Sequence, residues 1–165
     1  WGDVTYVEQA LGKDLETHSM RVDILTASPR PEASDELWQM YQRLIENEKE
    51  GVPRTQWPAD IRFFSESILG QALVLRQDNR GLDILANALP EEPQDASQRQ
   101  ARINVLHFVT QHTGGAFTYD GNRVPEAVQA AAERFVAWWK QNRKTFEFPE
   151  PAANVPPVPH PAARD

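Results

Sequence analysis

The stretch from His112 to Phe148, HTGGAFTYDGNRVPEAVQAAAERFVAWWKQNRKTFEF, constrains the fold more than any other. It spells a helix end, a fixed loop, a long aromatic-bearing helix and an exit. Gly114 and Gly115 follow an apolar run, and glycine enters positive φ without a Cβ penalty, so they are expected to end the preceding helix as a left-handed cap. Phe117 and Tyr119 stand two apart, an extended spacing that turns both rings onto one surface, and Asp120-Gly121-Asn122 is turn chemistry. Pro125 sits where a helix can begin, because its missing N–H costs nothing at the first helical position. From there Val128, Ala131, Phe135 and Trp139 recur at helical spacing, with Ala132 and Trp138 widening the stripe. Lys140, Arg143 and Lys144 gather in the last turn, where the helix dipole favours cations. Two large rings side by side cannot share one groove. One of Trp138 and Trp139 is therefore expected at the edge of the stripe, under the tail or against a partner.

The preceding chain predicts helices of varied length. Residues 3–27 read as two short ones, the first capped by Asp3 with Val4, Val7 and Leu11 on one side, the second running from His18 to Ala27 with Val22, Ile24 and Leu25. Ser28-Pro29-Arg30-Pro31 stops the second. Ser34 and Asp35 offer caps to a helix whose expected buried face is Leu37, Met40, Tyr41, Leu44 and Ile45, ending near Gly51. Trp57-Pro58 opens the next, where Ile61, Phe64, Ile68, Ala72 and Leu75 keep step as its expected core stripe. Asp78-Asn79-Arg80-Gly81 is expected as a tight turn into a short helix, Leu82 to Leu89, carrying Ile84, Leu85 and Leu89. Pro90 and Pro93 bracket an acidic loop, after which Ser97 or Asp95 caps a helix bearing Ala101, Val105, Leu106 and Val109. The expected common core is Phe64, Ile68, Leu75, Leu106, Phe135 and one of the paired tryptophans.

At 165 residues and 40% hydrophobic content the chain can form one domain, burying roughly two-thirds of its unfolded surface. A net charge of -7 and a pI near 5.1 argue against nucleic acid as a partner, since phosphate contacts need a basic field. With no cysteine there is no disulfide, iron–sulfur ligation or cysteine-built zinc site. No apolar run approaches the roughly 18 residues that span a bilayer, which leaves open a peripheral position on a membrane complex. The compartment is not fixed by composition. A chain beginning at Trp1 is expected to be a processed or trimmed product or one with an incompletely known start, and removal of an export signal, with a periplasmic or other exported location, is the preferred reading.

SILGQALVLRQDNRGLDILANAL, Ser67 to Leu89, resembles a HEAT-type repeat unit, in which a first helix ends in a short Asp-containing turn and a second runs back along it. QHTGGAFTYD followed by AWWKQN is similar to the segment that closes many bacterial HEAT-repeat proteins, with Thr113, Gly114, Phe117, Tyr119, Asp120, Trp138, Trp139 and Asn142 at the matching positions. The likeness covers roughly residues 60–146. The helix from Ser34 to Glu50 and its proline-flanked linkers do not repeat at the usual period, so the expected stack is irregular. The resemblance implies a scaffold or binding surface, and only rarely a catalyst.

Catalytic chemistry has no carrier in the sequence. His18, His107, His112 and His160 include no i, i+4 pair, and His107 and His112 lie about 140 degrees apart around a helix. No serine sits in a nucleophile elbow, no glycine-rich loop carries a phosphate-binding lysine, and Asp120-Gly121-Asn122 lacks the distal glutamate of a calcium loop. Glu91 and Glu92 have no apolar wall to raise a pKa. Charge is uneven along the chain. Glu32, Asp35, Glu36, Glu46, Glu48 and Glu50 dominate one segment, Arg123, Arg134, Lys140, Arg143 and Lys144 another.

From Pro149 to Asp165 the chain reads PEPAANVPPVPHPAARD, too small and proline-rich for a core and suited to extended polyproline II. Val155 and Val158, one polyproline turn apart, would share an apolar edge. The expectation is thus an all-α protein: stacked antiparallel helix pairs, HEAT-like and irregular, over residues 1–148, with an extended tail over 149–165. No catalytic, cofactor or metal site is expected. Its partners are other protein chains of a larger complex, met through Trp138, Trp139, Arg143, Phe148, Val155 and Val158. Two alternatives stand beside it. One is a small metal-dependent hydrolase using His107, His112 and Asp120, the other a helical ligand-binding module lined by Trp38, Trp57 and the paired tryptophans.

Overall fold

The structure, a computed structural model, describes residues 19–50, 59–90, 93 and 95–149, with only the helical backbone described for 46–50 and 59–62. Among the described residues every regular element is an α-helix: α1 over residues 19–27, α2 Ala33–Glu50, α3 Ala59–Leu75, α4 Arg80–Ala88, α5 Ala96–His112 and α6 Pro125–Asn142. None is long and apolar enough to cross a membrane. The expectations for residues 3–18, for Trp57-Pro58, for the side chain of Ile61 and for the tail beyond Pro149 lie outside the described residues.

Local chemistry explains where these helices start and stop. Asp95 accepts from the backbone N–H of Gln98 at 2.8 Å and caps α5, which leaves Ser97 inside the helix. At its other end Gly114 and Gly115 hold φ of 62° and 82°. Asp120 then accepts from the N–H of Asn122 at 3.0 Å and Asn122 from that of Val124 at 3.1 Å, two successive side-chain turns that deliver Pro125 to the first position of α6. The α3–α4 joint is closed by a Schellman pair, Gln77 N–H to the Val74 carbonyl and Asp78 N–H to the Leu73 carbonyl, each 2.9 Å. Gln77 occupies its left-handed position at φ 57°. Gly81 does not sit in a turn: it lies in the first turn of α4, and a Cβ there would come within 2.5 Å of the Gly70 carbonyl oxygen and 2.7 Å of the Val74 nitrogen. The pair Gly70 and Gly81 lets two helix backbones touch.

Around that hairpin α3 packs on α2, α4 and α5, α4 also packs on α6, and α5 packs on α6. Two apolar cores result, and α3 and α4 serve both. Toward the N-terminus Val22, Leu25, Leu37, Tyr41, Leu69, Leu73 and Ile84 pack together. Toward the C-terminus Phe63, Leu82, Leu85, Leu106, Phe117, Phe135 and Trp139 do. The face of α3 is a correction to the sequence reading. Phe64 and Leu75 are each 51% exposed and Ile68 is half-buried, whereas Phe63, Leu69, Leu73 and Val74 are buried. A helix with neighbours on three sides needs apolar residues nearly all round, so periodicity cannot choose its inner face. Ser65, Glu66 and Ser67, all buried, blur the pattern further. Ile24 is likewise exposed while its neighbours Val22 and Leu25 are buried. On α2 the expected face holds, with Leu37, Met40 and Tyr41 buried and Leu44 and Ile45 half-buried.

Candidate docking surface at the terminal helix

The stripe Val128, Ala131, Ala132, Phe135 and Trp139 turns α6 inward and buries all five side chains. Trp139 is the inner member of the tryptophan pair. Its indole Nε1 donates to Asp83 Oδ1 at 2.8 Å, which satisfies the polar end of a buried ring. Trp138 is half-buried at the edge of the stripe, its ring centre 5.9 Å from that of Phe117, 6.0 Å from Phe135 and 5.5 Å from Phe146. Lys140, Arg143 and Lys144 are exposed around the same helix end. Arg143 reaches Asp83 Oδ1 at 3.6 Å, so one carboxylate of α4 receives both an indole and a guanidinium from α6.

Beyond α6 the chain folds back as a short strap. Thr145 and Phe146 donate their N–H groups to the Asn142 carbonyl at 2.9 and 2.8 Å, which reverses direction, and the Asn79 side-chain amide donates to the Phe146 carbonyl at 3.1 Å. Phe146 meets Trp138, Trp139 and Phe148 edge to face, the last at 5.1 Å between centres. Phe146 and Phe148 are half-buried and Glu147 between them is exposed, the alternation of an extended segment. Pro149 lies over Gly114, where a Cβ would stand 3.1 Å from its Cγ.

Of the six side chains expected to meet a partner, Trp138, Trp139, Arg143 and Phe148 therefore lie at one end of the molecule, Trp139 buried within it, while Val155 and Val158 lie outside the described residues. Sequence reading missed Asn79, Asp83 and Phe146, and it gave Gly114 a cap but not a proline seat. Phe146 had a signal in its Phe-x-Phe spacing. Asn79 and Asp83 had none, because their partners are 67 and 56 residues away.

The residues of the alternative readings go to separate neighbours. His107 packs its ring edge-on to Tyr119 at 5.0 Å, and His112 lies on Phe108 at 4.2 Å, where burial lowers its pKa below the ordinary 6.5. Asp120 is occupied by the Asn122 N–H, and burial, with Asp120 adding to it and Arg123 opposing, raises the Tyr119 phenol. Among the described residues no three His, Asp or Glu side chains gather as a metal would need. Trp38 contacts Tyr41 and the Arg80 guanidinium and borders the N-terminal core, apart from the tryptophan pair, and Trp57 lies outside the described residues. Arg80 itself is held charged, chiefly by its hydrogen bonds to Asp78, with burial opposing and the Asp35 carboxylate adding a further, lesser contribution. Thr26, Leu75, Arg76 and Gln77 line an open depression at the far end of α3.

Comparison of the chain with protein-family models, with curated proteins and with solved structures returned no match.

Proposed function

We propose that this chain is a non-catalytic accessory or scaffold subunit, a HEAT-like stack of helix pairs that docks onto a larger protein assembly through α6 and its proline-rich tail. The observation that carries the reading is the last turn of α6. There a half-buried Trp138 and the exposed Lys140, Arg143 and Lys144 stand beside the strap from which the tail departs at Pro149. Aromatic and arginine side chains grouped in this way are what protein interfaces concentrate. HEAT-like stacking has its support in the neighbours: α3 is followed by α4 and α5 by α6, with α3 against α5 and α4 against α6. Basic residues at the helix end would steer an acidic partner, more strongly at low salt. A polyproline II tail loses little entropy on ordering, and its Val155 and Val158 would offer one apolar edge to an aromatic-lined groove.

The metal-dependent hydrolase built on His107, His112 and Asp120 has less support, since each of these side chains is engaged with a different neighbour. The test is deletion of residues 150–165, followed by size-exclusion chromatography of the native extract and by thermal unfolding of the purified chain. The expected result is an unchanged melting temperature and a shift from a high-mass fraction to the free chain. A truncated chain that stays in the high-mass fraction at full occupancy would move the interface from the tail to the helices.

A further inference from the structure

The strap is built unlike the rest of the fold. Within the domain every described element is a helix that satisfies its own backbone, but residues 147–149 make no backbone–backbone hydrogen bond among those described. They are attached by what their side chains reach. Phe146 lies on the tryptophan pair, Phe148 lies on Phe146, and Pro149 stands beside Gly114, both of them partly open to solvent. Among the described residues, the side-chain hydrogen bond to the strap backbone comes from Asn79, on a different helix pair. Alternate side chains inward, a lone amide reading a carbonyl, and a glycine that makes room for a proline ring are how a groove recognises an extended peptide. Gly114 suits this role in two ways, since its φ of 62° excludes most side chains and any Cβ would crowd Pro149.

We propose that the trough formed by Asn79, Gly114, Trp138 and Trp139 is a receptor for an extended aromatic-x-aromatic-proline segment, which residues Phe146 to Pro149 of the same chain occupy as a tethered copy of that ligand. The occupant is fixed by the one already seated there: a partner segment with two aromatic rings two residues apart and a proline next. Because the strap is tethered, it competes at an effective concentration in the millimolar range, so a free peptide enters only where the strap is weakened or outnumbered. Such a contact shuts the surface of α6 in the isolated chain and opens it to a partner that offers the same motif. This holds whether or not the tail beyond it reaches an assembly.

The experiment uses the full chain carrying Phe146→Ala and Phe148→Ala, and a fluorescein-labelled peptide of sequence TFEFPEP followed by anisotropy. The double variant, with the helical circular dichroism of the parent, should bind saturably. The unaltered chain should bind at least about tenfold more weakly, because its own strap fills the trough. A peptide with both phenylalanines replaced by alanine should not bind the variant. If the double variant does not fold, Phe148→Ala alone takes its place, with binding between the two. Equal binding to the parent and the variant, no saturable binding to a folded variant, or unfolding of both variants would each overturn the proposal. The last would make the strap part of the core and not a ligand.

Discussion

Both ends of the described chain pack an apolar core on the same hairpin, but the connections beyond those cores are fastened by opposite chemistry. At the N-terminal end a single guanidinium does it. Arg76 donates to the carbonyls of Leu25, Thr26, Ser28 and Arg30 and to the Ser34 hydroxyl, and so ties the end of α1 to the connection into α2. Arg80 adds a bridge from Asp78 to Asp35 at the start of α2. At the C-terminal end the fastening is mainly aromatic. Phe117, Phe135, Trp138, Trp139, Phe146 and Phe148 form a chain of ring contacts, and Asn79 and Asp83 supply only the polar ends. A polar clamp is directional, so one residue governs it. A ring cluster spreads its contacts over several members, and its outermost rings, Phe146 and Phe148, are only half-buried.

The largest expected effect breaks the aromatic side. Phe135 is fully buried and contacts Phe117 and Trp138, so Phe135→Ala should cost about 3–5 kcal/mol in chemical denaturation. A loss below about 1 kcal/mol would show that α6 does not depend on this ring. Next comes the polar side, where Arg76→Met keeps the length and removes the fork. The cost should be about 2–3 kcal/mol, with water recovering part of the bonding to the carbonyls. Arg76→Lys should restore little, since an ammonium has three donors and no planar fork with which to reach five divergent acceptors. Equal stability of the lysine variant and the parent would reduce the clamp to a charge effect.

How far this division was legible in the sequence depends on how local each cause is. α6, its proline start, the glycine end of α5 and the inward turn of Phe117 and Tyr119 follow from neighbours a few residues apart, and the structure places them as expected. The aromatic end was legible for the same reason, as a run of rings at helical and extended spacing. The polar end was not. Arg76 and Ser34 are 42 residues apart, and nothing in either segment marks them as partners. Gly81, which looks like a turn residue beside Asp78 and Asn79, is there because two helix backbones touch, a cause that lies in Gly70.

A smaller effect of opposite sign sharpens the picture of the hairpin on which both fastenings rest. Gln77 holds a left-handed conformation that costs a residue with a Cβ about 1 kcal/mol, so Gln77→Gly should stabilise the chain by about that amount or somewhat less. Destabilisation would mean that the Gln77 side chain makes a contact worth more than the strain. The smallest effect concerns His112. Burial lowers its folded pKa, so the neutral ring is favoured in the fold and its contribution is complete above the ordinary value of 6.5. As pH falls below that value the unfolded chain takes up the proton first, and stability declines until the folded ring is also protonated. The melting temperature should therefore drop as pH falls below the ordinary value of 6.5, and His112→Gln should flatten that part of the curve. An unaltered slope in the variant would assign the pH dependence to other groups.

The most direct measurement is hydrogen exchange read by mass spectrometry on two variants, Arg76→Met and Asp83→Ala, each against the parent. If one hairpin holds two independently fastened regions, Arg76→Met should speed exchange in residues 25–36 and leave 139–149 at the parent rate. Asp83→Ala, which removes the acceptor of Trp139 and Arg143, should do the reverse. Acceleration of both regions in either variant would contradict the account, because it would make the two ends a single cooperative unit and leave no separately releasable surface at α6.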